Sequence, residues 1–286
     1  MERVWHHVFY RELKAAPEDR AVLLSCAPTT TIEDKVKCCE IFFETLNSPA
    51  LCVKPQSVLA LYGSGYTTGL SVDLGQELTE INPIYEGGSI TYANIITDLA
   101  AKQVVKYVRS CLDKRGLSIG LNDDDIERLI NSSAYVTEDG AGSRYEYKRT
   151  YKLPSGEEID VSNEAFMAGE MYFQPDLVMG MKTKYLPLAD ALVIGVIKID
   201  PGLQPEMYDA IVCHGGMSHI PGMTKRLALE VEVEINRPVN VLHSAEYYSV
   251  AWLGGAVFAG ITDAQKTWVH KKQFEDQGER IVRNRF

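Results

Sequence analysis

Two short segments of this chain carry residue types that could handle a phosphate or a cation. The first is Ser71-Val72-Asp73-Leu74-Gly75-Gln76-Glu77, in which apolar and polar residues alternate into a glycine turn. An aspartate at a strand end beside a glycine suits a magnesium–phosphate site. The backbone can approach the phosphate closely while the carboxylate reaches the ion through water. The second is Ile211-Val212-Cys213-His214-Gly215-Gly216, an apolar strand closed by paired glycines ahead of a helix. Backbone amides at such a junction cradle nucleotides. Against the first segment stand Gln76 and Glu77, where a phosphate turn keeps a second small residue. A carboxylate there repels a polyanion. His214-Gly215-Gly216-Met217 also has the outline of an esterase oxyanion loop, but no G-x-S-x-G occurs in the chain, which removes the nucleophile that reading needs. His214 and His219 are five apart with no cysteine or carboxylate constellation nearby, and His6 and His7 are adjacent, so histidine-bound metal is not expected.

The elements that must position these turns alternate between strand and helix, which makes the chain α/β. Trp5, Phe9 and Leu13 are four apart and predict an opening helix that ends at Pro17. Ala21–Ser25 and Leu51–Val53 read as buried strands, with a helix over Ile32–Leu46 between them. Pro55 and Gly63 bracket a short helix. The hairpin at 71–88 follows, then an amphipathic helix over Lys102–Arg115 with Val104, Val105, Val108, Cys111 and Leu112 on one face. Asn122 caps a further helix, whose first turn holds Asp123, Asp124 and Asp125, where the helix dipole favours them. Residues 144–161 predict a hairpin around Pro154-Ser155-Gly156, and another helix starts near Pro221.

With 286 residues the chain can bury a large core in two domains. A net charge of −10 argues against a nucleic-acid footprint or an anionic membrane surface as partner. The longest apolar runs fall short of the ~18 to 20 residues a bilayer needs. Six cysteines are scattered without a CxxC arrangement, the usage of a reducing compartment. These features point to a cytoplasmic or nuclear protein.

Longer blocks carry a resemblance. "MERVWHHVFYRELKAAPEDRAVLLSCAP", "QSVLALYGSGYTTGLSVDLG", "PIYEGG", "LPSGEEIDVSNEAF", "YFQP", "GGMSHIPGM", "YYSVAWLGGAVFAG" and "TWVHKKQFEDQGERIV" are similar to the actin family, from residue 1 to residue 286. The resemblance implies the actin-like ATPase fold, shared with Hsp70 and hexokinase: two α/β domains, each with a smaller subdomain, closing on ATP and a divalent cation. It assigns residues 1–63 and 249–286 to the first domain, 64–100 and 181–248 to the core of the second, and 101–180 to the second's small subdomain. The match begins some way into the family's pattern. The expectation is therefore an incomplete first domain, without its N-terminal strands, its first phosphate hairpin and its inserted subdomain.

By the same resemblance, Asp73 matches the family's cation-associated acid, and Gln56 the glutamine that orients the attacking water. Gly75, Gly215 and Gly216 match the phosphate and adenosine turns. Glu77 stands at a family glycine. Glu127, Ile130 and Asn131 stand where Arg, Lys and Glu face the base and ribose, and Tyr247 or Tyr248 replaces a lysine over the adenine. A groove that receives partner helices keeps Tyr62, Gly65 and Thr67, with Phe258, Asp263 and Thr267 on its other wall. The resulting expectation is a non-catalytic structural subunit of a cytoskeletal assembly, axonemal assemblies among them, with vestigial Asp73 and Gln56 and no bound cofactor. Protein partners are expected, one covering exposed sheet near 21–25 and 50–54, with no direct nucleic-acid or membrane partner; a nuclear or ciliary location also fits. The alternative is a nucleotide-dependent switch or polymerising ATPase that binds ATP and magnesium, with Asp73 serving the metal.

Overall fold

The computed structural model describes residues 1–118, 120–140, 147–153, 155–243, 249–261 and 266–286. The chain divides into two compact units, Met1–Gly65 with Val250–Phe286, and Tyr66–Ser249.

In the first unit, β1 (Val22–Cys26) runs parallel to β2 (Ala50–Pro55), and β11 (Val269–His270) pairs antiparallel with β2 at Leu51 and Ala50. Phe9, Val22, Leu24, Phe42, Phe43 and Val282 fill one core of this unit. On the other side the helix Gln56–Gly63 packs on the helix Val250–Gly260. These two helices nearly touch backbone to backbone, because a Cβ on Gly254 would lie 1.7 Å from the Leu59 carbonyl oxygen. Only glycine fits that crossing.

The expectation of exposed sheet at residues 50–54 is not met over Ala50–Val53. Ala50, Leu51, Cys52 and Val53 are all buried, because β2 lies in the middle of its sheet. Lys54 and Pro55 at the end of β2 are half-buried, and β1 has a second edge with no strand beside it among the described residues. The opening helix also departs from expectation. Glu2–His7 is α-helical but Val8–Leu13 is a π-turn, closed by Lys14 in the left-handed region. The wider turn rotates Leu13 off the apolar stripe into solvent while Phe9 stays buried.

The second unit is built on a six-stranded sheet in the order β10 (Val241–His243), β9 (Ile211–His214), β3 (Gly69–Leu74), β4 (Thr79–Tyr85) and β5 (Gly88–Ser89), with β6 (Ile95–Thr97) also on β4. β9 is parallel to β3, and β3 and β4 form the hairpin read in the sequence. The period-two pattern sends Leu70, Val72, Leu74, Ile81, Ile211 and Cys213 to one face, where they join a single large core. The helix Ala101–Lys114 adds Val104, Val105, Val108 and Leu112 to that core, while Cys111 is half-buried. Asn122 caps the helix Asp123–Ser133 in a reciprocal box with Asp125. β7 (Thr150–Lys152) and β8 (Glu158–Asp160) form the small hairpin; Pro154 of its turn lies outside the described residues. All six cysteines are free thiols.

Candidate functional site

The turn between β3 and β4 is fastened on every side by the unit that contains it. The Gly75 amide donates to the Leu78 carbonyl (3.1 Å), which closes the turn on itself. The carbonyls of Gly75 and Gln76 accept from the amides of Ala101 and Lys102, 3.1 and 3.0 Å away. Those amides are the otherwise unsatisfied donors at the start of the helix Ala101–Lys114, the kind of group that elsewhere meets an anion. Lys102 Nζ binds both oxygens of Glu77, at 2.7 and 3.0 Å, and Gln76 donates its side-chain amide to Glu127. The repulsion expected from Glu77 is therefore offset locally, because its exposed carboxylate is held by a lysine.

Beside the turn lies a pocket of about 290 Å3, entirely within the second unit. Gly75, Gln76, Glu127, Ile130, Asn131 and Gly216 line it, with Ala101, Val105 and Met217. Among the described residues Glu127 is the one charged side chain of that lining. The pocket thus brings together Gly75, Gly216 and all three helix residues singled out in the sequence. Gly215 sits next to them with φ +86°, and a Cβ there would lie 2.3 Å from Asp73 Oδ1. Tyr247 and Tyr248 lie outside the described residues.

Asp73 belongs to a polar layer on the sheet face opposite the large core. Register places it level with Glu80 on β4 and His214 on β9, while Ser71 is level with Asn82. All of these except Asp73 are buried, and the Asp73 side chain is only 14% exposed. Ser71 Oγ and His214 Nε2 are 2.7 Å apart, a hydrogen bond. Asp73 Oδ1 and His214 Nδ1 are 3.8 Å apart, too far for one. Burial, helped by the negative charge of Glu80, pushes the Asp73 carboxyl up to about 7. Burial pushes the His214 imidazole down to about 4, so it is neutral at physiological pH. The layer resembles a nucleophile triad in composition alone, because Ser71 is inaccessible and the acid does not reach the ring.

Sequence reasoning missed Ser71, Glu80 and Asn82 as members of this layer. The signal was present: Ser71 and Asp73 alternate with Leu70, Val72 and Leu74, and Glu80 and Asn82 flank Ile81. Among the described residues no group of three or more His, Cys, Asp or Glu side chains could hold a metal ion.

Gln56 opens the helix Gln56–Gly63 in the first unit, directly after Pro55. In the same unit Tyr62 meets Phe258 edge to face at 5.4 Å, and Lys54 lies over the Phe258 ring. Thr267 is 3.7 Å from the Cys52 thiol, and Cys52 packs with Phe258. Three of the groove residues therefore converge on one small aromatic cluster. Gly65 ends the first segment of the first unit, and Thr67, in the second, accepts the Gly87 amide with its carbonyl. Asp263 lies outside the described residues.

A family model described as actin matches residues 1–128 and 126–286. The chain belongs to the actin family. The mixed α/β architecture above is consistent with that membership. Among the described residues, no helix of this actin-family chain is long and apolar enough to cross a membrane.

Proposed function

We propose that this actin-family protein is a non-catalytic structural subunit of a larger cytoskeletal assembly, with axonemal assemblies among the candidates, and that its nucleotide cleft is degenerate. The observation that carries the reading is the state of the β3–β4 turn. Its backbone carbonyls are spent on the first amides of the helix Ala101–Lys114, and its two side chains on Lys102 and Glu127. The turn acts as a clamp between hairpin and helix. A nucleoside triphosphate does not suit the adjoining pocket, whose lining among the described residues offers a carboxylate and no lysine or arginine.

The assembly role rests on the open edge of β1. Among the described residues its second edge has no strand beside it, an arrangement that invites another chain to pair. Beside that edge is a groove of about 310 Å3 containing Leu23, Trp252 and Trp268. A partner that adds an extended strand there would extend the sheet of the first unit. The six unbridged thiols and the family support a cytoplasmic, cytoskeletal location.

Isothermal calorimetry of the full chain with ATP and magnesium is expected to give no heat of binding. Binding in the micromolar range or tighter would favour the nucleotide-switch reading instead, which the retained Gly75–Gly216 pocket keeps testable. Glu77→Gly is expected to leave partner capture unchanged. For the β1 edge, the purified chain alone is expected to self-associate or aggregate; a soluble, cooperatively folding monomer would overturn that part.

A further inference from the structure

We propose that the groove between the helices Leu188–Ile197 and Met223–Ile235 docks a basic amphipathic helix of a partner protein. It uses residues of neither the β3–β4 turn nor the β1 edge, so it stands whatever the cleft holds.

The groove has a volume of about 530 Å3 and lies within the second unit. The helix Met223–Ile235 ends in an alternation, Leu229-Glu230-Val231-Glu232-Val233-Glu234. Leu227 and Val231 take its core face, which leaves Leu229 and Val233 pointing outward one turn apart. Val233 is 83% exposed and Leu229 37%. Two aliphatic side chains so spaced form an apolar strip along the groove, the footprint left by helix-in-groove recognition.

The walls around that strip are acidic: Glu138, Asp139, Asp190, Glu230 and Glu234 line the groove, with Arg226 as its one cation among the described residues. Arg226 is engaged by Glu230 and by buried Glu170, and Lys225 holds Glu138. Among the described residues no ion pair joins Asp139, Asp190 or Glu234 to a cation. The Glu234 carboxyl is raised by burial and then by the charges of Asp190 and Glu230. The crowding is relieved when a cation enters.

Charge complementarity selects the occupant. A lone divalent ion lacks a ligand cluster among the described residues. A second copy of this chain, with its net charge of −10, would bring acid against acid. Anionic lipid is repelled for the same reason. A helix with apolar residues one turn apart and Lys or Arg on both flanks satisfies the strip and the walls together.

The test uses the full chain and three labelled peptides of equal length, read by fluorescence anisotropy. One is a Lys/Leu amphipathic helix, one has Glu in place of Lys, and one has Ser in place of Leu. The Lys/Leu peptide is expected to bind, more weakly as salt rises. Val233→Glu or Leu229→Gln should weaken it ~10-fold. Asp190→Asn with Glu234→Gln should weaken it ~3- to 10-fold and flatten the salt dependence. Unchanged thermal melts establish that the variants fold, as exposed Val233 predicts. Absence of binding, equal binding of the Glu or Ser peptide, or indifference to both apolar variants overturns the proposal. So does self-association of the wild-type chain that Val233→Glu abolishes, which would assign the strip to a second copy.

Discussion

β2 in the first unit and β9 in the second are both almost wholly buried, yet their sheets are closed in different ways. Among the described residues the second sheet ends in short strands, three residues of β10 on one side and two of β5 on the other. Short edges offer little template for another chain. Among the described residues the first sheet has three strands, and one of its edges is the full five residues of β1. Burial of the central strand is thus no measure of how finished a sheet is. What distinguishes the two units is the length and composition of the strand left outermost.

The sharpest way to break this comparison is to damage each unit at its tightest glycine. All three tryptophans, Trp5, Trp252 and Trp268, belong to the first unit, so intrinsic fluorescence reports that unit while far-UV circular dichroism reports both. Gly254→Ala should cost about 3 kcal/mol or more, because the new methyl meets backbone that cannot yield. It should shift the fluorescence transition and spare the rest. Gly215→Ala, with a Cβ against Asp73 at positive φ, should do the reverse. If both variants moved one common transition, the two units would not be independent.

Next in size is the acid-sensitive layer of the second unit. The unfolded aspartate titrates near 3.8 and folded Asp73 near 7, so the folded state holds the extra proton between those values. Stability therefore falls as pH rises through that window. His214 works oppositely, because its folded value near 4 lies below the ordinary 6.5, and stability rises with pH between them. The two slopes oppose each other up to about pH 6.5, and Asp73 alone acts above it. Asp73→Asn should stabilise the protein at pH 8 by roughly 2 to 4 kcal/mol and remove the decline above pH 6.5, measured by urea unfolding across pH.

A smaller difference should appear in hydrogen exchange, where β1 amides exchange faster than those of β3 and β9. Equal protection would mean that the β1 edge is covered. The smallest effect is that of Lys102→Ala. Its ion pair with Glu77 is largely exposed, so its loss should cost only about 0.5 kcal/mol in chemical denaturation.

The strongly periodic elements were legible in the sequence, and the reasons are physical. The helix Ala101–Lys114 has one continuous apolar stripe, and Asn122 with Asp125 marks the start of the next helix by a local bond. The hairpin from β3 to β4 was legible for its alternation and its glycine. Leu13 was misplaced because a π-turn adds a residue that no spacing rule anticipates. β2 was expected to be exposed because β11 comes more than two hundred residues later in the chain. At the site, the turn residues could be read, but their partners could not: Lys102, Ala101 and Glu127 reach Glu77, Gly75 and Gln76 only through tertiary packing.

The division of the chain also orders its synthesis. Tyr66–Ser249 is one uninterrupted stretch and can close its core as soon as it has emerged from the ribosome. The first unit cannot, since β2 waits for β11, and the helix Gln56–Gly63 waits for the glycine of a helix that begins at Val250. Until Val269–His270 has been made, the edge of β2 that β11 will occupy stays open. That interval is when a chaperone finds its easiest entry.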